Sequence, residues 1–295
     1  MTTLPETARE RLRQVPEIRS VQVGDLKVSF VPDGFIKVKP RGLFPSTTED
    51  DWKAHSAYLD DSGLLTAGHG GLLVERDERA VLIDAGFGPF SAPIPADHPV
   101  FVSMQGGSLL DGLATLGRSP ADIEAVAVTH LHVEHIGWAW YPVPNGEQTP
   151  TFPAADILIS EAEWSQRRAD FGVTDMMLDA LAPRVRVVAD GQEIFPGVRV
   201  LLTPGHTPGH TAYVIESGGE SLIAFGDVLH SAIQVGDPDW NAAKEPDPES
   251  AARSRRRMLG RLGDTDTIGF GAHFADAVFG QVRQSARGLE WRPLP

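Results

Sequence analysis

The chain has 295 residues, 41% hydrophobic and 22% charged, a balance that excludes disorder and leaves room for one large domain or two small ones. Forty acidic against 26 basic side chains give a formal net charge of −14, which argues against a nucleic-acid backbone or an anionic membrane as the main partner. There is no cysteine, so disulfides, thiolate nucleophiles, iron–sulfur clusters and thiolate-bound zinc are excluded, and any tightly held metal must rest on histidines and carboxylates.

The first twenty residues contain no apolar signal region, and no run reaches the ~20 apolar residues that span a bilayer, so the expectation is a cytoplasmic protein. A short helix over 6–14 makes residues 1–20 a docking arm or a frayed end, ahead of a single domain over 21–295. The arm points to a homodimer. Strands are expected at 20–23, 27–31, 71–75, 80–84, 123–129, 156–160, 185–189, 198–203, 211–216, 221–225 and 267–271. Helices are expected at 108–116, 161–168 and 248–262. The Pro/Gly-rich stretches 32–70 and 87–107 read as lids or binding loops. Strand-rich runs followed by helix occur once before about residue 170 and again after it. The last helix starts with Asp247 and Glu249 and continues with Arg253, Arg255, Arg256, Arg257 and Arg261, which suits its dipole. These arginines read as a solvated face, with an anion site as the alternative.

Five apolar runs each end in a residue able to bind metal: Asp84, His130, His206, Asp227 and His273. Strands that each release a polar residue at the carboxyl end can gather those residues at one sheet edge. The densest signal is Thr129-His130-Leu131-His132-Val133-Glu134-His135-Ile136-Gly137. Imidazole nitrogen suits zinc at about 2.0–2.1 Å and carboxylate oxygen at about 2.0–2.2 Å. Next comes Thr203-Pro204-Gly205-His206-Thr207-Pro208-Gly209-His210, whose Pro-Gly pairs hold His206 on a stiff loop, with His210 left to support a ligand or to bond structurally. In Phe225-Gly226-Asp227-Val228-Leu229-His230 a carboxylate could bridge two cations, while by itself Gly-Asp reads as a turn. In Gly271-Ala272-His273-Phe274 a histidine closes an apolar strand; taken alone, it reads as a core or capping histidine.

Taken in this order, these motifs and the Ile83-Asp84-Ala85-Gly86 turn resemble the metallo-β-lactamase fold superfamily over nearly the whole chain. Ser119, Pro120 and Asp122 form a helix-start signal ahead of the histidine motif that fits as well. The stretches 109–116 and 120–135 look like the branch containing lactonases and organophosphate hydrolases. The resemblance implies an α+β, four-layer αββα sandwich of two mixed sheets flanked by helices. It implies that His130, His132 and His206 hold a first metal, that Glu134, His135 and His273 hold a second, that Asp227 bridges, and that Asp84 orients a ligand histidine or the site loops. The family's usual acid is Asp, and this chain carries Glu134. Two roles stand open for it: a ligand of a weakened or reshaped second site, or a general acid or base.

The function implied is a hydrolase with two zinc ions per chain, Mn or Fe being substitutes, that uses a metal-activated hydroxide on an ester or lactone of a small molecule. Asp227 and Glu134 would handle the proton. Phe87, Trp138, Trp140 and Phe274 could wall a substrate pocket or fill the core, and Tyr213 could reach an oxyanion or lie buried in its strand. Alternatives on the same scaffold are a phosphotriesterase or a β-lactam hydrolase. From other classes come a mononuclear iron dioxygenase of a sulfur substrate and a catalytically impaired binding protein.

Overall fold

Central strands buried on both faces decide the architecture of the protein, which is described here by a computed structural model covering residues 6–142, 149–243, 245–263, 266–286 and 288–295. One sheet contains β1 (Arg19–Val23), β2 (Leu26–Val38), β3 (Leu65–Arg76), β4 (Arg79–Ile83), β5 (Ser91–Ala92), β6 (Phe101–Gln105), β7 (Ile123–Ala127), β8 (Asp156–Ser160) and β9 (Val185–Val188). The other contains β10 (Glu193–Phe195), β11 (Val198–Leu202), β12 (Thr211–Ser217), β13 (Glu220–Ala224), β14 (Ile268–Phe270), β15 (Phe279–Ser285) and β16 (Gly288–Pro293). Both are mixed: β4, β7, β8 and β9 run parallel in the first, and β13 and β14 in the second.

Leu72, Val74, Val81 and Ile83 of the first sheet meet Val200, Tyr213, Ile215 and Leu222 of the second in one apolar core. Leu73 and Leu82 point the other way. They pack under α4 (Leu109–Thr115), α5 (Val133–Trp140) and α7 (Asp175–Leu181) through Leu113, Ile136 and Leu181. On the far side of the second sheet, Ile223 and Val282 pack on Met258, Leu259 and Leu262 of α8 (Pro248–Gly263). Helix, sheet, sheet, helix is the four-layer sandwich expected. No helix among the described residues is long and apolar enough to cross a membrane.

The stretches read as loops are partly sheet. β2 runs straight through Pro32-Asp33-Gly34, a turn-like trio that instead forms an irregularity in register against β3. Asp33 is buried and accepts hydrogen bonds from the amides of Phe87, Gly88, Gly107 and Leu109 and from Trp138 Nε1, at 2.8–3.0 Å. Its carboxylate thus pins the segment read as a free lid, and β5 and β6 line up on the edge of β2. Residues 133–140, outside the expected helices, form the helix α5. Helix α6 (Glu161–Ser165) is shorter than expected, and Ser119 caps only a single 3₁₀ turn, Pro120–Asp122. The chain changes sheet after β9, near residue 190. Of the arm, residues 1–5 lie outside the described residues. Its helix α1 (Glu6–Arg11) is fastened to the same chain, because Arg11 and Arg19 both pair with Asp276 and Leu12 is buried.

Helix α5 docks backbone to backbone on the turn after Asp84. The amide of Gly137 donates to Gly86 O at 2.7 Å, that of Trp138 to Ala85 O at 3.0 Å, and that of Ala85 to His135 O at 2.7 Å. A Cβ on Gly137 would overlap the backbone of Phe87 and Gly88. Gly137→Ala should therefore cost at least about 2 kcal/mol of stability, read by thermal or urea unfolding. It should also displace His135 relative to Asp84, and so lower metal retention after dialysis.

Candidate metal centre

The strand-end residues converge. Asp227 lies just past β13 and is 3% exposed, and its two carboxylate oxygens face two different histidine groups. Oδ2 lies 3.9 Å from His130 Nε2 and 3.5 Å from His206 Nε2. Oδ1 lies 3.4 Å from His135 Nε2 and 3.2 Å from His273 Nε2. His132 Nδ1 completes the first group, 3.2 Å from His206 Nε2. Ligand atoms of His130, His132, His206 and Asp227 fall within 4.8 Å of one another, as do those of Glu134, His135 and His273. Glu134 opens the first turn of α5, half-buried beside His135.

The far side of three of these imidazoles, His130, His135 and His273, is held by protein. His135 Nδ1 donates to Asp84 Oδ2 at 2.9 Å, and His273 Nδ1 donates to Gly68 O at 2.6 Å. His130 Nδ1 meets Thr129 Oγ1 at 3.0 Å, and that hydroxyl donates to Asp84. Nε2 of His130 and of His135 is buried without a hydrogen-bond partner. Such pinning fixes the tautomer that leaves a lone pair facing the centre, the usual support of a metal-ligating histidine. Two imidazole groups flanking a shared carboxylate suit zinc or a similar divalent ion, so the residues present fit the metal that the resemblance implies.

Asp84 sits at φ 60°, a left-handed conformation that turns its carboxylate back onto Thr129 N at 2.8 Å and onto His135. His210 does not face the two groups: its Nδ1 meets Thr203 Oγ1 at 2.8 Å, and its Nε2 accepts the Asp227 amide at 3.0 Å. It holds the carboxylate's backbone in place. Burial is the main cause that pushes His132 down to about 3 and His210 to about 4, and it holds His130 and His206 well below the ordinary value too. Burial also opposes charge on His135, but the Asp227 and Asp84 carboxylates outweigh it and push its pKa up to about 10. Burial likewise raises the Glu134 carboxyl.

The His135 shift has a consequence for the metal-free protein. The folded pKa of about 10 lies above the ordinary 6.5, so between those values the folded state holds a proton that the unfolded chain has released. The stabilisation is complete below pH 6.5 and is lost as pH rises toward 10. Thermal unfolding of chelator-stripped protein across that range should show Tm falling with pH, and His135→Gln should flatten the slope.

A cavity of about 600 Å³ opens onto both groups. Ile36, Val38, Phe87, Phe90, Val100, Phe101, Met104, Trp140, Phe171 and Met177 line it, together with His132, Glu134, His206, Asp227, His230 and His273. Of the aromatics expected either to wall a pocket or to fill the core, Phe87 and Trp140 line this cavity. Trp138 points into the core and donates to Asp33, because helical spacing puts it on the face opposite Trp140. Tyr213 is buried between the sheets with its hydroxyl on Val128 O at 2.8 Å, and Phe274 packs on Phe225 and Trp291.

Residues that sequence reasoning passed over also stand here. His230, three positions after Asp227, brings Nε2 to 3.4 Å from Asp227 Oδ2. Phe171 packs against His132 with ring centroids 4.4 Å apart and ring planes tilted by 31°, from a left-handed backbone at φ 46°. Glu245 joins His206 and His230 in a third grouping, but it shares His206 with the first group, and Arg255 Nη2 already donates to Glu245 Oε1 at 3.2 Å. It is therefore a buttress rather than an independent cation site. The arginine face also divides: Arg253, Arg256, Arg257 and Arg261 are exposed, while Arg255 is fully buried.

Comparison with known proteins agrees with this geometry. The family description Metallo-beta-lactamase superfamily matches residues 71–273. Metallo-beta-lactamase domain-containing protein 1 of Mus musculus is 29% identical over 247 residues, 83% of this chain and 72% of that protein. An N-acyl homoserine lactonase of Bacillus cereus is 28% identical over 165 residues, 51% of this chain and 59% of the lactonase, so that match spans less than two thirds of the relative. Among solved structures, AidC, described as a dizinc quorum-quenching lactonase in complex with a product, superposes with a TM-score of 0.78 at 25% identity, covering 96% of this chain and 99% of its own. The hydrolase AbOPH shares the fold at a TM-score of 0.77 and 23% identity, covering 96% of this chain and 99% of its own. From the glycine-rich middle of β3 to the last histidine of the centre, the match takes in strands of both sheets, and the chain belongs to the metallo-beta-lactamase superfamily.

Proposed function

We propose that the chain is a metal-dependent hydrolase, carrying two zinc ions, that cleaves an uncharged ester or lactone with an apolar tail. The carrying observation is one apolar cavity that opens on two imidazole groups sharing the Asp227 carboxylate. Among its described lining residues there is no lysine or arginine to pair with an anionic substrate. Relatives named N-acyl homoserine lactonase support the same direction, since an acylated lactone is neutral with an apolar chain.

His130, His132 and His206 would hold one cation and Glu134, His135 and His273 the other. Cations bound there supply Lewis acidity toward a carbonyl oxygen and lower the pKa of water toward about 7. The chain's own residues do the rest. Asp227 presents one oxygen to each group, where its negative charge would offset that of two bound cations. Asp84 and Gly68 O keep the His135 and His273 rings from rotating. Phe87, Phe90 and Trp140 hold an apolar chain and keep bulk water from it. Glu134 faces the cavity from the helix start, as a ligand of the second group.

Metal analysis and a substrate panel test this together. Two zinc per chain are expected, with turnover of lactones and aryl esters that improves as the acyl chain lengthens. A chromogenic cephalosporin, which carries a carboxylate, should be turned over poorly. One iron per chain with oxidation of a thiol substrate would replace the reading with an oxidoreductase. No retained metal and no turnover would leave a binding protein. Glu134→Gln should keep the first zinc and lose the second; retention of both would remove Glu134 from the ligand set.

A further inference from the structure

The first histidine group is assembled from two sheets. His130 and His132 stand on the connection from β7 to α5, and His206 stands on the connection from β11 to β12. Side-chain distances between these connections decide whether one cation can touch all three rings. Glu163, the third residue of α6, reaches both. Its Oε1 accepts from Leu131 N at 2.9 Å, the amide between the two histidines. Its Oε2 accepts from Thr207 Oγ1 at 2.7 Å and from Gly209 N at 3.0 Å, on the residues that follow His206.

The clamp is itself held. Glu163 is 5% exposed, and its own amide donates to Ser160 Oγ, the helix cap. That hydroxyl donates to Gly209 O at 2.6 Å. A Cβ on Gly209 would overlap the Glu163 amide, so only glycine lets the loop come this close. Glu163 does not line the cavity, and none of its bonds goes to a ring nitrogen of the centre. A buried carboxylate that accepts three hydrogen bonds from two loops has one evident effect, which is to set their separation.

We propose that Glu163 is a positioning residue that fixes the spacing between the His130–His132 pair and His206, and so sets the affinity of that group for its cation without touching cation or substrate. The proposal rests on the metal-dependent reading of the centre. Glu163→Gln is nearly isosteric but offers one acceptor oxygen. Its NH2 must face donors on one side or the other, which leaves the clamp open there.

The test is competitive chelator titration of zinc, site by site, on wild-type protein and on Glu163→Gln, with the Co(II) absorption spectrum as a second readout. Affinity at the first group should fall about 10–100-fold, with the second group unchanged and the Co(II) bands of the first group shifted. Thr207→Val, which removes a single donor, should move the same affinity in the same direction by less, and it serves if Glu163→Gln does not fold. Equal loss at both groups, or none at either, overturns the proposal. Failure of the underlying reading looks different, because wild-type protein would then bind no zinc at all.

Discussion

Asp227→Asn should lower kcat/KM for lactone or aryl-ester hydrolysis more than about a thousandfold, or ~4 kcal/mol of transition-state stabilisation. The substitution keeps the shape of the side chain. It replaces one carboxylate oxygen by an NH2 that points hydrogens at a histidine group, and it removes the negative charge between the two. Five imidazoles, His130, His135, His206, His230 and His273, approach this carboxylate within 3.2–3.9 Å, so both groups lose the charge they share. Zinc content should fall with the rate, which separates loss of the centre from loss of a proton carrier. The metal-free protein offers an independent check. Burial holds His135 back, and Asp227 is the first of the charges that overcome burial. Without Asp227 the His135 imidazolium should titrate well below its present value of about 10, and the alkaline fall of Tm should move to lower pH. A variant that keeps two zinc and a rate within tenfold of wild type, about 1.4 kcal/mol, would remove Asp227 from the centre of the reaction.

The parts of this centre that could be read from sequence share a physical signature. Asp84, His130, His206, Asp227 and His273 each end an apolar run, and a buried strand that stops at a polar residue marks a sheet edge. The unread parts lack such contrast. Pro32-Asp33-Gly34 has turn composition, and nothing local announces that Asp33 accepts from five nitrogens brought in from residues 87–138. Glu163 and Glu245 are ordinary acids near helix starts until the loops they hold are in place. Trp138 and Trp140 are not sorted between core and cavity by the sequence, which does not announce α5; helical spacing separates them. Its short length and the glycine at 137 hide the helix, which is held by its bonds to Ala85 and Gly86 more than by propensity.

Arg255→Met should destabilise the protein by about 3–5 kcal/mol, because the change removes one partner of a buried, hydrogen-bonded ion pair. Arg255 is fully buried. Its guanidinium donates to Val228 O at 3.0 Å, Pro238 O at 2.7 Å, Asn241 Oδ1 at 3.2 Å and Glu245 Oε1 at 3.2 Å. One side chain of α8 thus ties down the long segment that follows Asp227. Burial already raises Glu245 to about 7 against the pull of Arg255. Without the guanidinium, Glu245 should take up a proton at neutral pH and the carbonyls of Val228 and Pro238 should lose their donors. At about 2–4 °C per kcal/mol for a domain of this size, Tm should fall by roughly 6–20 °C. Activity should drop as well, since Asp227 and His230 ride on the same segment. The double variant Arg255→Met/Glu245→Leu discriminates between causes. If the unpaired Glu245 carboxyl is the main loss, the pair should recover a large part of the stability, a coupling that thermal unfolding of the four proteins measures directly. Strictly additive losses would mean that the carbonyl bonds alone hold the segment, and that Glu245 contributes nothing through Arg255.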